Sequence, residues 1–154
     1  MQQDSHPRLV SAADVRSENY PRARFDEGVK FGIRELAKHR APNNKSQFRH
    51  EIGVAGEFAV SGYWGVAVNK EFYDDFNGDA GWDLSIEKRG ETIRIEVKSV
   101  HTGELELRAT KSELETADYF ILCQVSPSLD VVEIVGGIHA DELAQVGEES
   151  PYDS

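Results

Sequence analysis

Between residues 84 and 98 the chain alternates apolar and polar side chains with a period of two, interrupted once by Lys88-Arg89-Gly90-Glu91. Leu84 and Ile86 alternate with Asp83, Ser85 and Glu87; Ile93, Ile95 and Val97 alternate with Arg94, Glu96 and Lys98. Successive side chains of a strand leave opposite faces. Two such runs joined by a glycine-containing turn predict an antiparallel hairpin with one apolar and one polar face. Downstream, Tyr119-Phe120-Ile121-Leu122-Cys123 is a continuous apolar run, as in a strand buried on both faces. A sheet holding both features needs covering layers on its two sides.

The remaining pattern supplies those layers. Val29, Ile33, Leu36 and Ala37 form one helical stripe, which predicts a helix over about Asp26 to His39, ended by Pro42-Asn43-Asn44. A second helix is expected over about Gln47 to Ser61, and Val66-Ala67-Val68 reads as a first strand. Thr110-Lys111-Ser112-Glu113 matches the capping-box pattern and predicts a helix of about Lys111 to Ala117. Leu105 and Leu107 mark a further strand, Val131 to Val135 the last strand, Gly136-Gly137 a turn after it, and Ala140 to Val146 a short helix. The expected class is α/β (α+β), a central mixed sheet flanked by helices in the order helix-strand-strand-strand-helix-strand. Residues 1–24 carry Pro7, Pro21 and four arginines without periodicity and read as a loosely packed basic arm. Residues 25–147 read as one domain, and 148–154 as a frayed acidic tail.

With 154 residues such a domain buries a sizeable core without metals or disulfides to hold it. The single cysteine, Cys123, excludes an internal disulfide and fits a reducing cytoplasm. No apolar run is long enough to cross a membrane, and no secretory leader is recognisable at the N-terminus. The net charge of -11 is unevenly spread. Residues 1–50 hold ten Lys/Arg and six Asp/Glu; residues 51–154 hold seven and 22. The acidic body fits a salt-rich cytoplasm, or a surface that repels non-specific partners.

Four residues point to chemistry. Glu96 and Lys98 stand two apart on a strand, so both side chains leave one face. Asp83 opens the neighbouring strand and is expected to reach the same place. Two carboxylates make an oxygen-rich site suited to Mg²⁺, or Mn²⁺ in its stead, which is held by one or two carboxylates plus phosphate oxygens. The backbone carbonyl of Val97 offers another oxygen. The Lys98 amine is suited to orienting or deprotonating a water and to stabilising charge on a phosphorane. Upstream, Gly53-Val54-Ala55-Gly56-Glu57 places a further carboxylate on the second helix. Taken alone, Glu96 and Lys98 also fit the solvated face of an amphipathic strand.

On Glu57, Asp83 and Glu96-Val97-Lys98, the chain resembles the PD-(D/E)XK nuclease superfamily, the restriction-endonuclease-like fold, over about residues 47–136. Gly81-Trp82-Asp83-Leu84, Ile95-Glu96-Val97-Lys98-Ser99 and Thr110-x-x-Glu113-x-x-x-Ala117 look most like the NO VEIN C-terminal type of domain. The resemblance implies a restriction-endonuclease-like core with Asp83 and Glu96 as metal ligands. It further implies that Lys98 assists the water nucleophile and that Glu57 supports a metal through water. The activity implied is metal-dependent hydrolysis of phosphodiester bonds in DNA, often by a homodimer. An RNA nuclease, or an inactive protein-interaction module on the same fold, stands as the alternative.

Lys30, Arg34 and Lys38 recur every four residues and line one side of the first helix. They are candidate phosphate contacts, with Lys111 at the start of the later helix, and would position rather than read a nucleic acid. The alternative is a solvated helix face paired with Glu27 and Glu35. Asp74, Asp75 and Asp79 fail the calcium-loop pattern, because the twelfth position from Asp75 is Ile86. The five histidines show no metal-ligand spacing. Cys123, Trp64 and Trp82 read as packing residues, and His101 as a loop residue.

Overall fold

A computed structural model describes residues 8–17, 19–40, 47–65, 84–101 and 105–149. The elements are β1 (Arg8–Ser11), α1 (Ala12–Val15), β2 (Arg22–Arg24), α2 (Glu27–Arg40) and α3 (Gln47–Trp64). They continue as β3 (Leu84–Lys88), β4 (Glu91–Val100), β5 (Glu106–Ala109), α4 (Lys111–Thr116), β6 (Tyr119–Val125), β7 (Val131–His139), α5 (Ala140–Val146) and β8 (Glu148–Glu149). A five-stranded mixed sheet has the order β2-β7-β6-β4-β3, and a second sheet of three short strands has the order β5-β1-β8. The strand expected at Val66–Val68 and the loop through Asp74, Asp75 and Asp79 lie outside the described residues, as do Trp82 and Asp83.

The hairpin forms as its alternation requires. β3 pairs antiparallel with β4, from Leu84 opposite Ile95 to Lys88 opposite Glu91. Arg89 and Gly90 turn the chain with φ of 53° and 80°. Positive φ at both central residues gives a two-residue hairpin a twist that matches its strands. β4 then runs parallel to β6 from Ile95 opposite Tyr119 to Val100 opposite Gln124. The connection between them contains α4, since parallel neighbours need a crossover.

β6 is covered on both sides, as its apolar run demands. Ile121, Cys123 and Val125 join Ile95, Val97, Ile33, Ala55 and Val60 in a core beneath α2 and α3. Phe120 and Leu122 join Val10, Val15, Leu107, Ile138 and Leu143 in a second core beneath α1, α5 and the small sheet. Cys123 is fully buried, and burial pushes its thiol far above the ordinary range.

Three expectations change. The segment from Arg8 to Arg24 is packed rather than loose where it is described. β1 pairs with both β5 and β8, β2 pairs with β7, and Val10, Ala12 and Val15 are buried. Strands this short carry no readable period, and their partners lie far away in sequence. For the same reason Glu148 and Glu149, read as frayed tail, pair with Leu9 and Arg8. Gly136 and Gly137 lie within β7 rather than in a turn. A Cβ at Gly136 would stand 1.7 Å from the carbonyl oxygen of Val15, and one at Gly137 would stand 2.4 Å from the Tyr119 ring. Glycine here marks close approach within a strand, not a break in it. Among the described residues no helix is long and apolar enough to cross a membrane.

Candidate functional site

The alternation of β4 assigns its side chains to two faces. Ile95 and Val97 enter the core under α2 and α3. Glu96 and Lys98 leave the other face, in register with Phe120 and Leu122 of β6. The structure therefore brings Glu96 and Lys98 onto one face, as expected. Glu96 is buried. The Lys98 side chain is 24% exposed. Val97, chosen for its backbone carbonyl, has its side chain in the opposite core. Asp83 lies outside the described residues; it is joined to Leu84, whose ladder partner Ile95 directly precedes Glu96.

The partner of Lys98 comes from α4. Thr110 caps this helix: its hydroxyl accepts from the backbone N–H of Glu113 at 3.1 Å, and Glu113 Oε1 accepts from the backbone N–H of Thr110 at 2.8 Å. This is the reciprocal capping box that the Thr-x-x-Glu spacing predicts. The second oxygen, Oε2, accepts from Lys98 Nζ. The Glu113 side chain is only 5% exposed. One carboxylate thus closes the helix end with one oxygen and holds the lysine with the other. Sequence reasoning assigned Glu113 to the cap and missed its second partner. The available signal was that a buried sheet face opposite Lys98 requires a counter-charge.

Glu57 sits elsewhere. α3 packs on the Ile95/Val97 side of the sheet, and Gly56 lets it approach closely, since a Cβ there would stand 1.9 Å from Ser99 Oγ. Next to it, Glu57 pairs with Arg40 at the end of α2. Arg40 Nη1 is 2.7 Å from Oε1 and 2.9 Å from Oε2, and its hydrogen bond goes to Oε2. The two side chains are 3% and 7% exposed. The sheet stands between α3 and the face from which Glu96 and Lys98 project.

The basic stripe of α2 divides. Lys30 is buried, with its ammonium 2.5 Å from Asp130 Oδ1 and 2.8 Å from Glu27 Oε1. The Asp130 carboxylate, then that of Glu27, holds this ammonium above the ordinary lysine range. Lys30 thus sits in an internal contact between α2 and the start of β7, while Arg34 is half-buried and Lys38 exposed. Helical spacing placed all three on one side, but it could not show that a carboxylate from 100 residues away meets the first. Lys111 is exposed at the start of α4. His101 lies edge-on to Phe48, with ring centroids 5.0 Å apart. Trp64 packs with Tyr20 and Tyr63, its centroid 6.1 and 5.2 Å from theirs.

Among the described residues no three His, Cys, Asp or Glu side chains converge on a metal-sized site. Glu113 is committed to Thr110 and Lys98, and Glu96 is a second buried carboxylate on that face of β4. A carboxylate is the kind of hard-oxygen donor that Mg²⁺ takes, with water and phosphate oxygens completing its shell. No protein-family model, no curated protein and no solved structure matches the chain.

Proposed function

We propose that this chain is a metal-dependent nuclease that hydrolyses phosphodiester bonds in DNA. The observation that supports the reading most is the side-by-side exit of Glu96 and Lys98 from one face of β4, with the amine held by Glu113. In this reading α3, the strand expected at Val66–Val68, β3, β4, α4 and β6 make a restriction-endonuclease-like core. Glu96 and Asp83 are the carboxylate ligands of Mg²⁺ or Mn²⁺, and the carbonyl of Val97 is a third oxygen. When bound, such a cation polarises the phosphate and makes water a better nucleophile. Lys98 orients the attacking water and offsets charge gathering on the phosphorane. Glu57 contributes through Arg40, by fixing α2 against α3 behind β4. Arg34, Lys38 and Lys111 supply phosphate contacts, and Lys30 supports them from inside. A homodimer would bring two such sites to the two strands of a duplex.

The test is cleavage of supercoiled plasmid, linear duplex, circular single-stranded DNA and RNA, with Mg²⁺ or Mn²⁺, from low to molar KCl. Wild type is expected to cut DNA. Asp83→Ala, Glu96→Ala and Lys98→Ala are expected to lose about 100-fold or more in rate, the scale of a positioned acid-base group. Full activity in a folded Glu96→Ala protein would overturn the proposal. Preference for RNA would reassign the substrate. Absence of cleavage, together with absence of a Mg²⁺-dependent thermal shift, would favour an interaction module.

A further inference from the structure

We propose that Glu113 is the positioning residue for Lys98, which rests on the nuclease reading above. A capping box needs only an acceptor at its third helical position, and glutamine serves there as well as glutamate. A charged carboxylate that is almost fully buried is unfavourable unless an opposite charge or several donors meet it. Glu113 is 5% exposed, and it is met twice, by the backbone N–H of Thr110 and by Lys98 Nζ. The cap therefore accounts for one oxygen, and the lysine accounts for the charge.

The consequence runs from α4 to β4. A lysine ends in a point charge on a flexible four-carbon stem, so an untethered amine samples many positions. Here the stem rises from a central strand and its end is fixed by a group that is itself locked at a helix terminus. α4 is the crossover that joins β4 to β6, so the carboxylate is placed by the same connection that makes the two strands neighbours. Lys98 keeps 24% of its side chain accessible, so the tethered residue is not sealed from solvent. Glu113 touches no reacting atom in this scheme; it acts through Lys98.

Glu113→Gln separates the two jobs. The amide oxygen can still accept from Thr110, while the amide NH₂ would face the ammonium, donor against donor. The experiment compares wild type, Glu113→Gln and Lys98→Ala in steady-state cleavage of duplex DNA with Mg²⁺, beside thermal unfolding. For a folded Glu113→Gln protein, kcat is expected to fall at least about tenfold with KM within about twofold, as for a displaced catalytic group. Unchanged kcat in Glu113→Gln with Lys98→Ala inactive would overturn the positioning role and leave the nuclease reading standing. A rise in KM alone would also overturn it. A wild type inactive on every substrate would remove the nuclease reading itself, and the positioning role with it. If Glu113→Gln does not fold, the double variant Glu113→Gln/Lys98→Met decides. Recovery of folding shows that the stranded ammonium was the fault, and failure shows that the carboxylate serves something other than Lys98, which overturns the positioning role.

Discussion

The two faces of the five-stranded sheet each bury an ion pair, and the pairs differ in how far water reaches them. Behind the sheet, Arg40 and Glu57 join α2 to α3 with side chains 3% and 7% exposed. On the other face Lys98 and Glu113 join β4 to α4, with the carboxylate 5% exposed but the lysine 24%. Both pairs link an element to its neighbour. Only the second leaves one partner partly exposed to solvent. A sealed pair balances its own desolvation and does little beyond fixing two helices. A pair with one open member holds a charge where a substrate can meet it. Buried charge is therefore not by itself a sign of chemistry; the accessibility of one partner is what separates the two faces.

The largest effect expected from this contrast is on stability. Arg40→Ala leaves Glu57 buried beside the core and should cost about 3–5 kcal/mol in urea unfolding. Lys98→Ala should cost less, because water can reach the vacated position. Equal losses would erase the distinction between the faces. A smaller effect is expected from Thr110→Ala, which removes half of the capping box. It should cost about 1 kcal/mol, while Glu113 stays tied to Lys98. A loss as large as that of Arg40→Ala would mean that the cap, rather than the ion pair, organises this corner.

The smallest effect belongs to a third pair on the same side of β4. Asp118 Oδ2 accepts from the Arg94 side chain at 3.2 Å and from its backbone N–H at 2.8 Å. The Arg94 guanidinium holds the Asp118 carboxyl below the usual carboxylate range, against a weaker opposing effect of burial. A depressed carboxyl adds stability above its unfolded pKa, about 3.9, and that stability is lost as pH falls through the lower folded value. Both side chains are about two-fifths exposed, so Asp118→Asn should cost under about 1 kcal/mol at neutral pH. The gap from wild type should close as pH falls through the lowered folded value of this carboxyl. A gap that persists there would assign the effect to the neutral hydrogen bonds instead.

What could be read from the sequence was local. The hairpin, its Arg89-Gly90 turn, the α4 cap and the Ala140–Val146 helix all follow from neighbours within a few positions, and each has a period or a spacing that survives folding. The shared exit of Glu96 and Lys98 follows from the same alternation. What escaped was tertiary. A charged residue at a helix end, such as Arg40, looks solvated until another helix brings a carboxylate to it. Lys30 looked like one of three surface cations until Asp130 arrived from the far end of the chain. Glu113 was concealed differently: the cap explained it so completely that no second role was sought. The glycines of β7 misled because a break and a close approach use the same residue.

β6 gives the molecule a mechanical property. Phe120 and Leu122 belong to one core, and Ile121, Cys123 and Val125 to the other. A fluctuation that lifts α2 and α3 away, or one that lifts the small sheet and α5, uncovers one side of the same strand. Neither half can melt far without unroofing a strand that the other half also needs. Unfolding is therefore expected as one cooperative event, with the amides of β6 the last to exchange with solvent.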